Sequence, residues 1–242
     1  MAKPKKSDRQ AILDKMKAEQ RGAERRRGFA IVGVCAVVAL LIVGAAAYQP
    51  IKDWYDLRQF KSIDLGSIGA PASACEKIIT KKATGNQQHV PPDTPMTYPD
   101  SPPAFGKHWN VWDSIDRKLY TAEDRPALGE LVHNEEHGYT LMWYDQTVAN
   151  DSDMMKEVDA IASKFQSDTN LRNKFKAIPW LKSDGAAFPN RQHIAFTHWT
   201  SGSKTGGEQE GVWQYCSQPS GAALKDFMLK YPYTDSPEPT VM

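Results

Sequence analysis

The sequence is poor in net charge, in cysteine and in long hydrophobic runs, and each shortage excludes something. Its 242 residues carry 30 Lys+Arg against 29 Asp+Glu, a formal charge of +1. That balance is unlike a strongly basic nucleic-acid binder. Three cysteines are too few for a disulfide-dense mini-protein. A multi-span transporter would need several uncharged runs of about 20 residues, and there is one. No phosphate-binding glycine loop, Gly-x-Ser-x-Gly elbow or dinucleotide fingerprint is present, and no internal repeat.

What is there is unevenly distributed. Residues 1–27 hold ten Lys/Arg and four Asp/Glu, a net of +6, whereas residues 49–242 hold twenty and twenty-five, a net of −5. Between them Gly28 to Tyr48 (GFAIVGVCAVVALLIVGAAAY) has no charge in 21 residues. At about 1.5 Å per residue this run spans roughly 30 Å, the thickness of a bilayer's hydrocarbon core. In lipid the backbone must bond to itself, so a helix is expected. A cleaved signal peptide ending near Ala45-Ala46-Ala47 is the rival reading, but the apolar run and the charged leader are both long for one. Six Lys/Arg in residues 12–27 against three in residues 49–66 (Lys52, Arg58, Lys61) put the N-terminus in the cytoplasm and the remainder outside. The expected organisation is a basic cytoplasmic leader (1–27), a transmembrane helix (28–48), a linker (49–60), an exported domain (61–231) and a C-terminal tail (232–242) that leaves the domain. The acidic exported half argues against nucleic acid as a partner.

Compartment sorts the cysteines. Cys35 lies in the apolar run, while Cys75 and Cys216 share the exported domain and are the natural pair for a disulfide in an oxidising compartment. Within the domain, six prolines between residues 90 and 103 predict a loop. Strands are expected at Tyr139–Tyr144, His193–Trp199 and Gly211–Cys216, and helices near 126–137, at Met155–Phe165 and at Ala222–Lys230, with Asp151 or Ser152 capping the second. The mixed order gives an α+β fold without βαβ repeats. Trp109, Trp112, Trp143, Trp180, Trp199 and Trp213 could stack sugars or bases, but most of them are expected to fill its core.

All six histidines (89, 108, 133, 137, 193 and 198) lie in the exported part. His133 and His137 stand four apart in VHNEEHGY, so one helical face presents both to a shared metal, with Gly138 as the C-cap and Glu136 as ligand, orienter or base. His133-Asn134-Glu135-Glu136-His137 also matches the inverted zinc-protease pattern His-x-x-Glu-His. Enzymes of that kind need a further carboxylate on a second helix, and this helix stops at Gly138. His193 and His198 face opposite ways from one strand and are not assigned to the site.

HVPPDTPMTYPDSPPAFGKHWNVWD, followed by LVHNEEHGYTLMWYD, resembles the actinobacterial domain-of-unknown-function 3105 family. Its members typically have a membrane- or lipid-anchored exported domain. The matching positions are His89, Tyr98, Pro102-Pro103, Gly106, His108-Trp109, His133, Glu136, His137, Gly138 and Tyr139. Where the family tends to have Ser-Gly-Pro-His, this chain has Phe105-Gly106-Lys107-His108. The resemblance brings no activity with it.

The residues themselves suggest a metal site built from His89, His108, His133 and His137 with Glu136. Imidazole suits copper or zinc, and a thioether from Met142, with Met96 nearby in the loop, would favour copper. Three functions follow: an anchored metal-handling protein of the cell envelope, a metal-free accessory subunit of a membrane assembly such as the cytochrome respiratory complex, and a zinc hydrolase using His133, Glu136 and His137. The first is the leading expectation, and an enzyme is not.

Overall fold

A computed structural model describes residues 6–83, 87–166, 169–203 and 206–240. It divides into two units, residues 1–56 and 57–242. The first is occupied by helix α1 (Lys6–Arg58), whose 53 residues run without a break from the basic leader through the apolar run. The segment Leu13–Tyr48 is long and apolar enough to cross a membrane. Phe29 (78% exposed) and Leu40 (71%) are among the large apolar side chains that this helix leaves uncovered. Helix continues to Arg58, so most of the expected linker at 49–60 is helical.

In the second unit a five-stranded sheet has the order β1 (Ile79–Lys82), β7 (Glu210–Cys216), β6 (Ile194–Thr200), β4 (Thr140–Tyr144) and β5 (Phe175–Pro179). Only β4 and β5 are parallel; the other pairs are antiparallel. Among the described residues this unit also has the short pair β2 (His89–Val90) and β3 (His108–Trp109), the α-helices α2 (Leu128–Glu136), α3 (Gln146–Ala149), α4 (Ser152–Ser163) and α5 (Gly221–Lys230), and four short 3-10 turns. The domain is α+β, as its sequence implies.

Alternation along the strands divides the interior in two. On one face Met142, Tyr144, Ile194 and Phe196 pack with Val158 and Ile161 of α4 and with Leu224 and Phe227 of α5. Asp151 caps α4 by accepting from the amides of Asp153 and Met154, which satisfies donors that the first turn leaves open. On the other face Leu141, Trp143, Ala195, Trp199 and Trp213 pack with Leu131 and Val132 of α2 and with Phe105 from the proline-rich loop. β4 and β6 are buried along their whole length, as strands covered on both faces must be. The edge strand β1 is exposed throughout and carries Lys81 and Lys82, paired with Asp100 and Glu208, a charged edge of the kind that discourages further pairing.

Cys75 and Cys216 form a disulfide across 141 residues of chain, joining the start of the domain to the end of β7. The C-terminal segment differs from expectation. Instead of leaving the domain, it turns back over it: Asp235 and Ser236 are buried, and the Glu238 amide donates to the Glu136 carbonyl at 2.9 Å. Buried backbone acceptors hold this otherwise polar, proline-punctuated stretch in place.

Candidate metal centre

Two short elements and one helix converge on a cluster of imidazoles. β2 and β3 pair in parallel with His89 opposite His108, so their rings meet edge to face with centroids 4.5 Å apart. The loop between them is fixed from both sides. Tyr98 donates its hydroxyl to the Lys107 carbonyl at 2.8 Å, while Trp213 and Tyr215 of β7 donate to the carbonyls of Pro102 and Ser101. The family-type Tyr and Pro-Pro therefore position the loop that carries His108. Lys107 is exposed and leaves that anchoring in place.

Helix α2 supplies the other side. His133 and Glu136 project from it three residues apart, and His137 caps it. Gly129 is required by a close approach, since a Cβ there would stand 2.8 Å from the Trp109 ring. Gly138 has φ +89°, the left-handed conformation that ends the helix, and a side chain there would strike the Tyr233 carbonyl. Asn134 pins the incoming chain by donating to the Asp113 carbonyl and accepting from the Asp113 amide.

The ring nitrogens have defined roles. His108 Nδ1 lies 2.7 Å from the Gly106 carbonyl and His133 Nδ1 lies 2.6 Å from the Trp109 carbonyl. A carbonyl oxygen can only accept, so both Nδ1 atoms carry hydrogen, and in its neutral form each ring turns an Nε2 lone pair inward. This is the orientation in which protein backbone usually holds a ligating histidine. Glu136 Oε2 stands 3.0 Å from His108 Nε2, 3.3 Å from His89 Nε2 and 3.9 Å from His133 Nε2. Lone pairs that face one another at such distances need a proton or a cation between them. Tetrahedral coordination with bonds of about 2.0 Å sets ligand atoms about 3.3 Å apart, so the spacing suits a small transition-metal ion.

Electrostatics agree with that chemistry. Burial opposes charge on Glu136, but the contact with His108 Nε2 at 3.0 Å and the nearby His89 and His133 outweigh this and hold the carboxyl below its usual range. Burial is also the main cause that pushes His133 down to about 4 and His137 down to about 3. Both rings are therefore neutral and available as ligands at neutral pH. Neighbouring Glu135 behaves oppositely. It is fully buried, and desolvation outweighs the contact with Thr197 and raises its carboxyl well above the ordinary value. His108, His133 and Glu136 are almost wholly shielded, whereas the His89 side chain is 37% exposed and marks the side from which an ion would enter.

The structure thus gathers His89, His108, His133 and Glu136 into one group of possible ligands. His137 stands just beyond it, with Nε2 3.1 Å from His133 Nε2 and 3.5 Å from Glu238 Oε2. Met142 is not brought to the site, because it points into the opposite face of the sheet, among Phe196, Ile161 and Leu224. Met96 packs beside Gly129 and the Tyr98 hydroxyl. His193 pairs with Asp145, and His198 is buried between the carbonyls of Tyr139 and Asp235. Among the tryptophans, Trp112 is the 40% exposed one and lies against the rings of His133 and His137, covering the site rather than the core.

Sequence reasoning missed Glu238 and Lys174. Lys174 donates to the His137 carbonyl at 2.6 Å and to the Pro239 carbonyl at 2.9 Å, and burial brings its ammonium down to about 8. The one signal for Glu238 was its place between two prolines, which restrict the backbone on either side of it.

No curated protein and no solved structure matches the chain. The family described as protein of unknown function (DUF3105) matches residues 89–241, which begin at the first histidine of the site and include the C-terminal strap. The chain belongs to that family.

Proposed function

We propose that the domain is a metal-holding module of the cell envelope, anchored by α1 with its N-terminus in the cytoplasm and its metal centre outside. The orientation rests on the excess of Lys/Arg before the apolar run, and the exported address on the Cys75–Cys216 disulfide. One observation carries the metal reading. Two backbone carbonyls turn the Nε2 atoms of His108 and His133 toward Glu136 Oε2, where His89 also points. Three imidazoles and a carboxylate suit zinc or copper(II). With Met142 in the core, the thioether that would have singled out copper is gone. Glu136 stands among the histidines as a ligand, so the module holds or passes on an ion rather than using Glu136 as a hydrolytic base.

The test is metal analysis of the untagged, detergent-solubilised chain after dialysis against zinc or copper(II). Wild type is expected to retain the ion, and His108→Ala and His133→Ala to lose it. Equal metal content in all three would contradict the reading. An anchored module of this form is suited to serve a membrane partner such as a respiratory assembly, and co-purification in mild detergent tests that association.

A further inference from the structure

Glu136 has two carboxylate oxygens, and the three-histidine group faces only one of them. Oε2 is turned toward His89, His108 and His133, while Oε1 is buried without a hydrogen-bond partner. A buried carboxylate oxygen left unmatched is costly and calls for an explanation. On the other side of His133 stand His137, which is buried with Nδ1 unpartnered, and Glu238. Potential ligand atoms of Glu136, His137 and Glu238 all lie within 4.8 Å of one another.

The strap that brings Glu238 here is held independently of that side chain. Its amide donates to the Glu136 carbonyl, Lys174 donates to the Pro239 carbonyl, and Ser201 and Ser203 donate to Asp235 Oδ1 at 3.0 and 2.7 Å. The carboxylate is therefore delivered by backbone geometry to a place beside His137.

We propose that Glu136, His137 and Glu238 form a second metal subsite, with Glu136 bridging two ions. The proposal rests on the metal reading of the first group and extends it from a single ion to a pair. One imidazole and two carboxylates make a harder donor set than the three imidazoles next door, so the second ion is a divalent one such as zinc, manganese or iron(II), and not copper(I). In the metal-free chain the His137 Nε2–H donates to His133 Nε2, because the His133 hydrogen sits on Nδ1 and is committed to the Trp109 carbonyl. Metal entry moves the His137 hydrogen to the unpartnered Nδ1 and frees both Nε2 lone pairs, one for each ion. The ring stays neutral throughout. Carboxylates that bridge two ions a few ångströms apart are a recurrent feature of two-metal sites.

The experiment is zinc stoichiometry by equilibrium dialysis and elemental analysis on the untagged full chain in detergent, with Glu238→Gln and His137→Ala as variants. Two ions in the wild type and one in each variant are expected, and the retained ion shows that the variants are folded. One ion in the wild type overturns the second subsite and leaves the first standing, whereas none overturns both readings. Two ions in the variants would place the extra ion elsewhere, and none in the variants would make the pair inseparable; either overturns the assignment.

Discussion

The two faces of the sheet's inner strands β4 and β6 are both buried and differ in purpose. Behind α4 and α5 the interior is aliphatic and aromatic, with Met142, Phe196, Ile161, Leu224 and Phe227 in contact and little for a ligand to hold. Behind α2 the packing is dominated by tryptophans, and at its rim lie His108, His133, Glu135, Glu136 and His137, all buried. Burial alone therefore does not separate scaffold from site. What separates them is whether buried polar groups are matched to one another, and the unmatched atoms of Glu136 and His137 sit on one face.

The comparison can be broken most severely at the metal-facing side. His108→Ala removes a ligand and the contact with Glu136, and affinity for zinc or copper(II) should fall at least a hundredfold in a competition titration, with modest loss of stability. On the other face Met142→Ala should do the reverse. It leaves a cavity costing about 2–5 kcal/mol of stability by denaturant unfolding, while metal affinity changes less than about threefold. A large loss of affinity in Met142→Ala would restore the thioether to the site.

Acid should weaken the α2 face of the metal-free protein. His133 and His137 titrate near 4 and 3 in the fold and near 6.5 when unfolded. Between those limits the unfolded chain binds more protons, so stability falls as pH falls. It is complete above about 6.5 and lost progressively toward 4 and below, by on the order of 3 kcal/mol per ring. Chemical unfolding of chelator-treated protein from pH 7 to 4 checks this, and His137→Gln should flatten the slope. The smallest effect belongs to the exposed edge: Lys82→Ala breaks the ion pair with Glu208 and should change stability by less than about 1 kcal/mol and metal affinity not at all.

Much of this was legible in the chain. The uncharged run and the His-Asn-Glu-Glu-His helix ending at Gly138 are local patterns whose physics acts within a few residues, and the cysteine pairing followed from compartment, since Cys75 and Cys216 are 141 residues apart. β5 was not legible, because its sequence FKAIP contains a lysine and a proline. Lys176 is nonetheless fully buried, its ammonium held by Asp113 and the Ser114 carbonyl, partners some sixty residues away that periodicity does not reveal. Met142 misled for a related reason: β4 is buried on both faces, so alternation of polar and apolar residues could not say which side it took. The strap failed as a composition argument. Residues 232–240 look too polar and proline-rich to fold, yet Lys174, His198 and the Glu136 carbonyl supply the hydrogen bonds that hold them.

X-ray absorption at the metal edge of the full chain loaded with one equivalent of zinc or copper(II) tests the central claim most directly. The account predicts a first shell of nitrogen and oxygen only, near 2.0 Å, with the outer-shell scattering of three imidazoles. Sulfur scattering near 2.3 Å, or fewer than two imidazoles, would contradict it.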